Sequence, residues 1–365
     1  MQKKLFRRQL LSAVMLVIAL ACLFLFSNDT ETAISQSLKF CADVLIPSLF
    51  PFMVISSLMV RFRAADVLCR PLSGWFCRLF RLPSCACSAF FLGAICGFPV
   101  GAKTAAELYE KGDLTKREAE RLAAVSNNTG PSFIVEVIGA FYWNNRIFGI
   151  YLYCIQLLSA LLLGRIYSCG ERLPLPAKEH ETHFSAVSPG KIFAEAVSSS
   201  AYGMLGICGF VSFFQAILAI LYRILSAIGA EAAVPFAASV LEFSSGSAEA
   251  ALLGGAAGAF LCGFTVGWSG ISVFAQSSLF MSSAGLSLCP MMQSKAIQGL
   301  ICAAAAVLWR RFTGLEAAAD CSISRLFPGA SIPFTAEILL LLSCWLFPAI
   351  AFLSGKPSEK AAHVR

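Results

Sequence analysis

SNNTGPSFIVEVIGAF, residues Ser126–Phe141, sets four hydrogen-bonding side chains directly ahead of a glycine, a proline and an apolar run. Ser126, Asn127, Asn128 and Thr129 need polar partners, which lipid does not supply, whereas the run from Phe133 needs an apolar surrounding. A helix that stops inside the membrane meets both needs. Gly130 and Pro131 make the break, and the freed peptide groups and amides face a polar cavity.

The rest of the chain agrees that the solvent is lipid. Of 365 residues, 58% are hydrophobic and only 13% charged, with mean hydropathy +0.74; a soluble domain carries about a quarter charged. At about 20 apolar residues per crossing, the chain is expected to be an all-α polytopic membrane protein of roughly eight to ten segments. The net charge of +7 sits in short loops, where it orients the chain and meets anionic lipid rather than nucleic acid. Most of the fifteen cysteines, Cys96, Cys262 and Cys302 among them, lie in apolar runs and read as small hydrophobes. His180 and His183 fall in a polar stretch, and no metal, cofactor or catalytic constellation is expected.

Residues 1–32 read as a retained N-terminal crossing, with Lys3, Lys4, Arg7 and Arg8 in the cytoplasm. A second span, Ala33–Val60, is interrupted by Pro47 and Pro51, and the arginine-rich loop after it (Arg61, Arg63, Arg70, Arg78, Arg81) is cytoplasmic. Ser88–Gly112 is expected to be a re-entrant hairpin turning at Gly97, Pro99 and Gly101, because a full crossing would put Lys103 and Lys111 outside. Leu114–Val125 reads as an amphipathic helix on the membrane surface, capped by Thr115 with Glu118. Crossings follow over Pro131–Trp143 and Arg146–Tyr167, closing a first repeat at 33–168.

A polar cytoplasmic linker, 169–191, leads to a second repeat, 192–312, of opposite orientation. Its spans are Met204–Tyr222, a run broken at Ser244–Ser247, Ala256–Phe280 broken at Gly267–Gly270, and Lys295–Trp309. Residues 313–365 hold a last crossing, Pro333–Leu353, and the tail. Both termini are expected in the cytoplasm, although Arg310 and Arg311 then fall outside. The apolar surface would permit a homo-oligomer.

Paired breaks in two inverted halves point to a central site. The substrate-binding candidates are Asn127, Asn128, Thr129 and Ser132 in one half and Ser244, Ser245, Ser247, Ser269, Ser272 and Gln276 in the other. Uncharged amides and hydroxyls suit a neutral hydrogen-bonding solute such as a nucleoside, and equally suit bonds between helices. The helix-break residues are Gly97, Pro99, Gly101, Gly130, Pro131, Gly246, Gly267 and Gly270. Acids are costly in a bilayer, so Glu136 and Glu242 are candidates for coupling H+ or Na+. A protonated Glu136 bonding a neighbouring helix is the plainer reading, and Glu249 flanks the second break with Glu242.

The combination IPSLFPFMVISSLM (Ile46–Met59), GAICGFPVGAKTAAELYEKGDLTKREAERLAAVSNNTGPSF (Gly93–Phe133) and GWSGISVFAQ (Gly267–Gln276) resembles the sporulation integral membrane protein YlbJ family. The resemblance implies two nucleoside-recognition (Gate) domains, akin to the core of concentrative nucleoside transporters and the membrane part of ferrous-iron transporters. It further implies a multi-pass protein of spore-forming bacteria connected with spore cortex formation. Two functions remain: a permease for a small polar solute (nucleoside-like or a cortex precursor), or a membrane scaffold that recruits sporulation partners. Neither is an enzyme.

Overall fold

The computed structural model describes residues 2–62, 64–171 and 188–314. The expected crossing Pro333–Leu353, the histidines and most of the 169–191 linker lie outside the described residues. Among those described, every regular element is helical.

α1 (Gln2–Leu25) leaves Leu10, Leu11, Leu16 and Val17 exposed, the surface of a helix solvated by lipid. It meets α2 (Ser27–Phe40) at a bend of 88°. α2 runs through one π-helical turn, Cys41–Leu45, into α3 (Ile46–Arg61). The interruption expected at Pro47 and Pro51 is therefore milder than a break. Pro47 directly follows the π-helical turn, a local widening of the helix where a missing backbone N–H is accommodated, and Pro51 is carried inside the helix. The arginine-rich loop is also corrected: 64–80 form α4 (Ala64–Phe80), which buries Phe76 and Phe80 against Phe90 at 5.7 and 5.4 Å while Arg70 and Arg78 stay exposed. One buried face is enough to make a helix of this charged stretch.

α5 (Ala86–Cys96) and α6 (Val100–Glu110) fold against each other across Gly97–Pro99. α7 (Lys116–Ser126) opens with the expected capping box: Glu118 N–H donates to Thr115 Oγ1 at 3.3 Å and Thr115 N–H to Glu118 Oε2 at 2.8 Å. Thr115→Ala should cost about 1 kcal/mol of stability, read as a lowered melting temperature of the purified chain. Only the start of α7 suits a membrane surface. Its second half (Leu122, Ala123, Ala124, Val125, Ser126) is buried, because small side chains let it enter between α5 and α6: the carbonyl of Ser126 would lie 1.9 Å from a Cβ on Gly93 and 2.2 Å from one on Gly101. Arg121 ties this helix to its neighbours through Phe80 O at 2.6 Å and Ser168 Oγ at 3.1 Å.

A π-helix, Phe133–Tyr142, then turns into α8 (Arg146–Tyr167), where Gly139 packs on Gly149. α9 (Pro189–Ala227) is the longest helix and lies along α2, joined by Arg223–Asp29 at 2.6 Å and Ser37–Ser212 at 3.0 Å. α10 (Val234–Leu241), α11 (Phe243–Leu253), α12 (Gly255–Trp268), α13 (Ile271–Met281) and α14 (Cys289–Thr313) complete the described fold. Gly263 and Gly267 bring α12 against α14 so closely that a Cβ would meet Cys302 O at 2.4 Å and Gln298 O at 2.5 Å, the small-residue contact that membrane helices favour.

The described residues hold four helical stretches long and apolar enough to cross a membrane: α8, α9, α12 with α13, and α14. Counting the bent α1–α2 pair gives five. Among the described residues this is fewer than the eight to ten segments expected of the whole chain, because apolar runs there make helices of half length. The π-helix expected as the crossing Pro131–Trp143 has 10 residues, and α5 has 11. At about 1.5 Å per residue neither traverses a core of about 30 Å.

Candidate functional site

Four helix breaks meet inside the bundle. In the first half, α7 stops at Ser126, and residues 127–130 run without helical bonds before the chain resumes at Pro131. Asn127 and Asn128 are fully buried there and Thr129 is 2% exposed. The loop at Gly97 crosses this segment: a Cβ on Gly97 (φ +80°) would lie 2.7 Å from Gly130 N. In the second half, the chain breaks at Glu242 and again at Ser269–Gly270, and these also touch, with Gly270 (φ +87°) 3.0 Å from Phe243 N by the same measure. Each half thus contains two breaks in contact through a glycine of positive φ, a conformation a side chain resists. Phe243 joins the pairs, its ring 5.2 Å from Phe98 and 4.9 Å from Phe133. Asn127 Nδ2 donates across the halves to Ser277 Oγ at 3.1 Å.

The polar groups gathered here are largely uncommitted. Ser126 Oγ, Asn127 Oδ1, Thr129 Oγ1, Ser269 Oγ, Ser272 Oγ and Gln276 Oε1 are buried without a hydrogen-bond partner among the described residues. Buried polar atoms are bonded in the great majority of cases, and these six cluster on the two sides of one crossing.

Sequence reasoning missed the most unusual member. Lys295 on α14 is fully buried and forms no ion pair among the described residues; its ammonium donates to Asn128 Oδ1 at 2.9 Å and Gln298 Oε1 at 2.7 Å. Gln298 Nε2 in turn donates to Asn128 Oδ1 at 3.2 Å and to Gln156 O at 2.7 Å. Both ends of the Gln156 amide are buried and unpartnered beside this network. The signal in the sequence was a lysine three residues ahead of a glutamine on an apolar span, easily taken for a membrane-end anchor.

Other expectations need correction. The break placed at Ser244–Ser247 falls at Glu242. Ser244, Ser245 and Ser247 form the first turns of α11, where Ser247 Oγ returns to Phe243 O at 2.8 Å and Ser245 Oγ accepts from Gln215 Nε2 at 2.6 Å. Glu242 caps that helix, accepting from Ser245 N–H at 2.7 Å, because a carboxylate fits the free N–H groups of a first turn. Gly101, Gly246 and Gly267 are inside helices, at close contacts rather than at breaks. Pro131 begins the helical segment after the break, and Ser132 beside it is half-buried and caps nothing with its side chain. Glu136 is not a lone acid. Its carboxylate pairs with Arg146 at 2.7 Å, since the turn at Trp143–Asn145 folds α8 back beside it, and Arg146 is exposed. Among the described residues no group of three metal-ligating side chains stands together.

No family model matches the sequence, and no solved structure matches it. One curated relative aligns over most of the chain: the sporulation integral membrane protein YlbJ of Bacillus subtilis (strain 168), 28% identical over 342 residues, 80% of this chain and 82% of the relative. The similarity spans both halves of the chain, and its helices of membrane-crossing length agree with an integral membrane protein similar to YlbJ.

Proposed function

We propose that this protein is a permease for a small hydrogen-bonding solute, held where the four helix breaks cross. The observation that supports this reading is the set of six buried, unpartnered polar atoms contributed by both halves. A scaffold has no need of polar groups that bond nothing, whereas a solute site needs groups left free until it is occupied. Paired breaks at corresponding places suit two Gate-like repeats rocking about a shared site. Lys295 shifts the expected solute from strictly neutral toward one rich in hydrogen-bond acceptors, because an ammonium only donates. A nucleoside or a peptidoglycan precursor meets that description, and the named relative makes a sporulating cell the setting.

The test is a thermal-shift screen of the purified full chain against nucleosides and peptidoglycan precursors. A true ligand is expected to raise the melting temperature of the wild type, and Asn127→Ala should abolish the rise. Glu136→Gln, removed from the crossing, should keep it. A ligand effect equal in Asn127→Ala would move the site elsewhere, and no effect from any compound would favour the scaffold.

A further inference from the structure

A polar cavity lies near the crossing. It has a volume of about 320 Å³ and lies between the end of α3, α6, α9 and α13, with Arg61, Lys103, Glu107, Glu110, Lys111 and Phe280 among its lining residues. Lys103 follows the Gly97–Pro99 break by one turn, its N–H bonded to Pro99 O at 2.9 Å. Phe280 follows Ser277, the partner of Asn127, by three residues. The cavity therefore begins about one helical turn, roughly 5 Å, from the crossing.

Its chemistry is set by Lys103. The residue is 3% exposed, and its Nζ has no hydrogen-bond partner. Glu107 stands 3.9 Å away, an electrostatic neighbour too distant to accept a hydrogen bond, and the Phe280 ring centroid lies at 6.0 Å. Arg61 is engaged elsewhere, with Glu195 at 2.9 Å, and Lys111 reaches Val60 O at 3.4 Å. A buried ammonium with three N–H groups and no acceptor is costly unless something supplies the acceptors. The lining carries three basic and two acidic side chains, so it favours one anionic group rather than several.

We propose that this cavity is an anion-binding vestibule, in which Lys103 takes a single carboxylate or phosphate of a small solute and Glu107 and Glu110 accept from its hydroxyl or ammonium groups. The occupant is either a free solute anion or a lipid headgroup, which share that chemistry. Its role as a vestibule rests on the permease reading; its binding of an anion does not.

The experiment measures thermal unfolding of the full chain in a neutral detergent while inorganic phosphate replaces chloride at constant ionic strength. The wild type should gain about 2 °C or more once phosphate is well above its dissociation constant. Lys103→Met should lose the gain and Lys103→Arg keep it. Nanodiscs of phosphatidylcholine with and without phosphatidylglycerol form the second arm: stabilisation by the anionic lipid in the wild type but not in Lys103→Met assigns the site to a headgroup. Asn127→Ala should retain the phosphate response, which separates failure here from failure of the crossing. An equal response in Lys103→Met, or no response of the wild type to phosphate or to phosphatidylglycerol, overturns the proposal.

Discussion

Gly97→Ala is expected to destabilise the protein by about 2–6 kcal/mol, enough to lower its melting temperature by several degrees and its yield in membranes. Two costs add. A side chain at φ +80° and ψ −176°, a region open essentially to glycine, strains the backbone by about 1–3 kcal/mol, and the new Cβ would sit 2.7 Å from Gly130 N, an overpacking that costs about 1–3 kcal/mol. The neighbour is backbone, so nothing flexible can yield. Gly130→Ala is the control. Its φ is not positive, and the nearest atom to its Cβ is at 3.5 Å, an ordinary contact. The structure therefore separates two glycines of one crossing that the sequence treats alike. Equal melting temperatures for the two variants would contradict the crossing.

Asn128→Leu should cost about 1.5–3 kcal/mol, the range for a hydrogen bond to a charged group. Most of that cost is the Lys295 ammonium losing one of its two amide oxygens. Neutral bonds between membrane helices average only about 0.6 kcal/mol, so a loss of this size would itself mark the charge. Lys295→Met removes the ammonium while keeping the stem. In the double variant the leucine no longer strands a charge, so its effect should largely vanish. The coupling read from the cycle is then of the order of 1 kcal/mol or more. Strictly additive melting-temperature losses would mean that Lys295 does not depend on Asn128.

Some of this architecture could be read locally. The Asn127–Pro131 break follows from residues adjacent in the chain, since a polar run, a glycine and a proline cannot continue an apolar helix. Likewise Thr115 and Glu118 announced α7, and the bounds of α8 at Arg146 and Tyr167 coincide with those expected. Other features were out of reach for a stated reason. The charged stretch 64–80 is helical only because Phe76 and Phe80 find Phe90. The apolar run after Pro131 looks like a span until the 10 residues of its helix are measured against a bilayer. Glu136 looked isolated because Arg146, ten residues on, returns to it through a turn.

From its sequence alone this chain is a helical membrane protein with helix breaks expected at Gly97–Gly101, Asn127–Gly130 and Gly267–Gly270 and a fourth at Ser244–Ser247, because composition and local hydrogen-bonding capacity are properties of neighbouring residues. Tertiary structure alone decided that these breaks touch, that Glu242 makes the fourth, and that Lys103 and Lys295 are buried without a carboxylate within hydrogen-bonding distance. Whether a polar group is bonded or left free depends on which helix faces it, and that choice is made by packing between segments far apart in the chain.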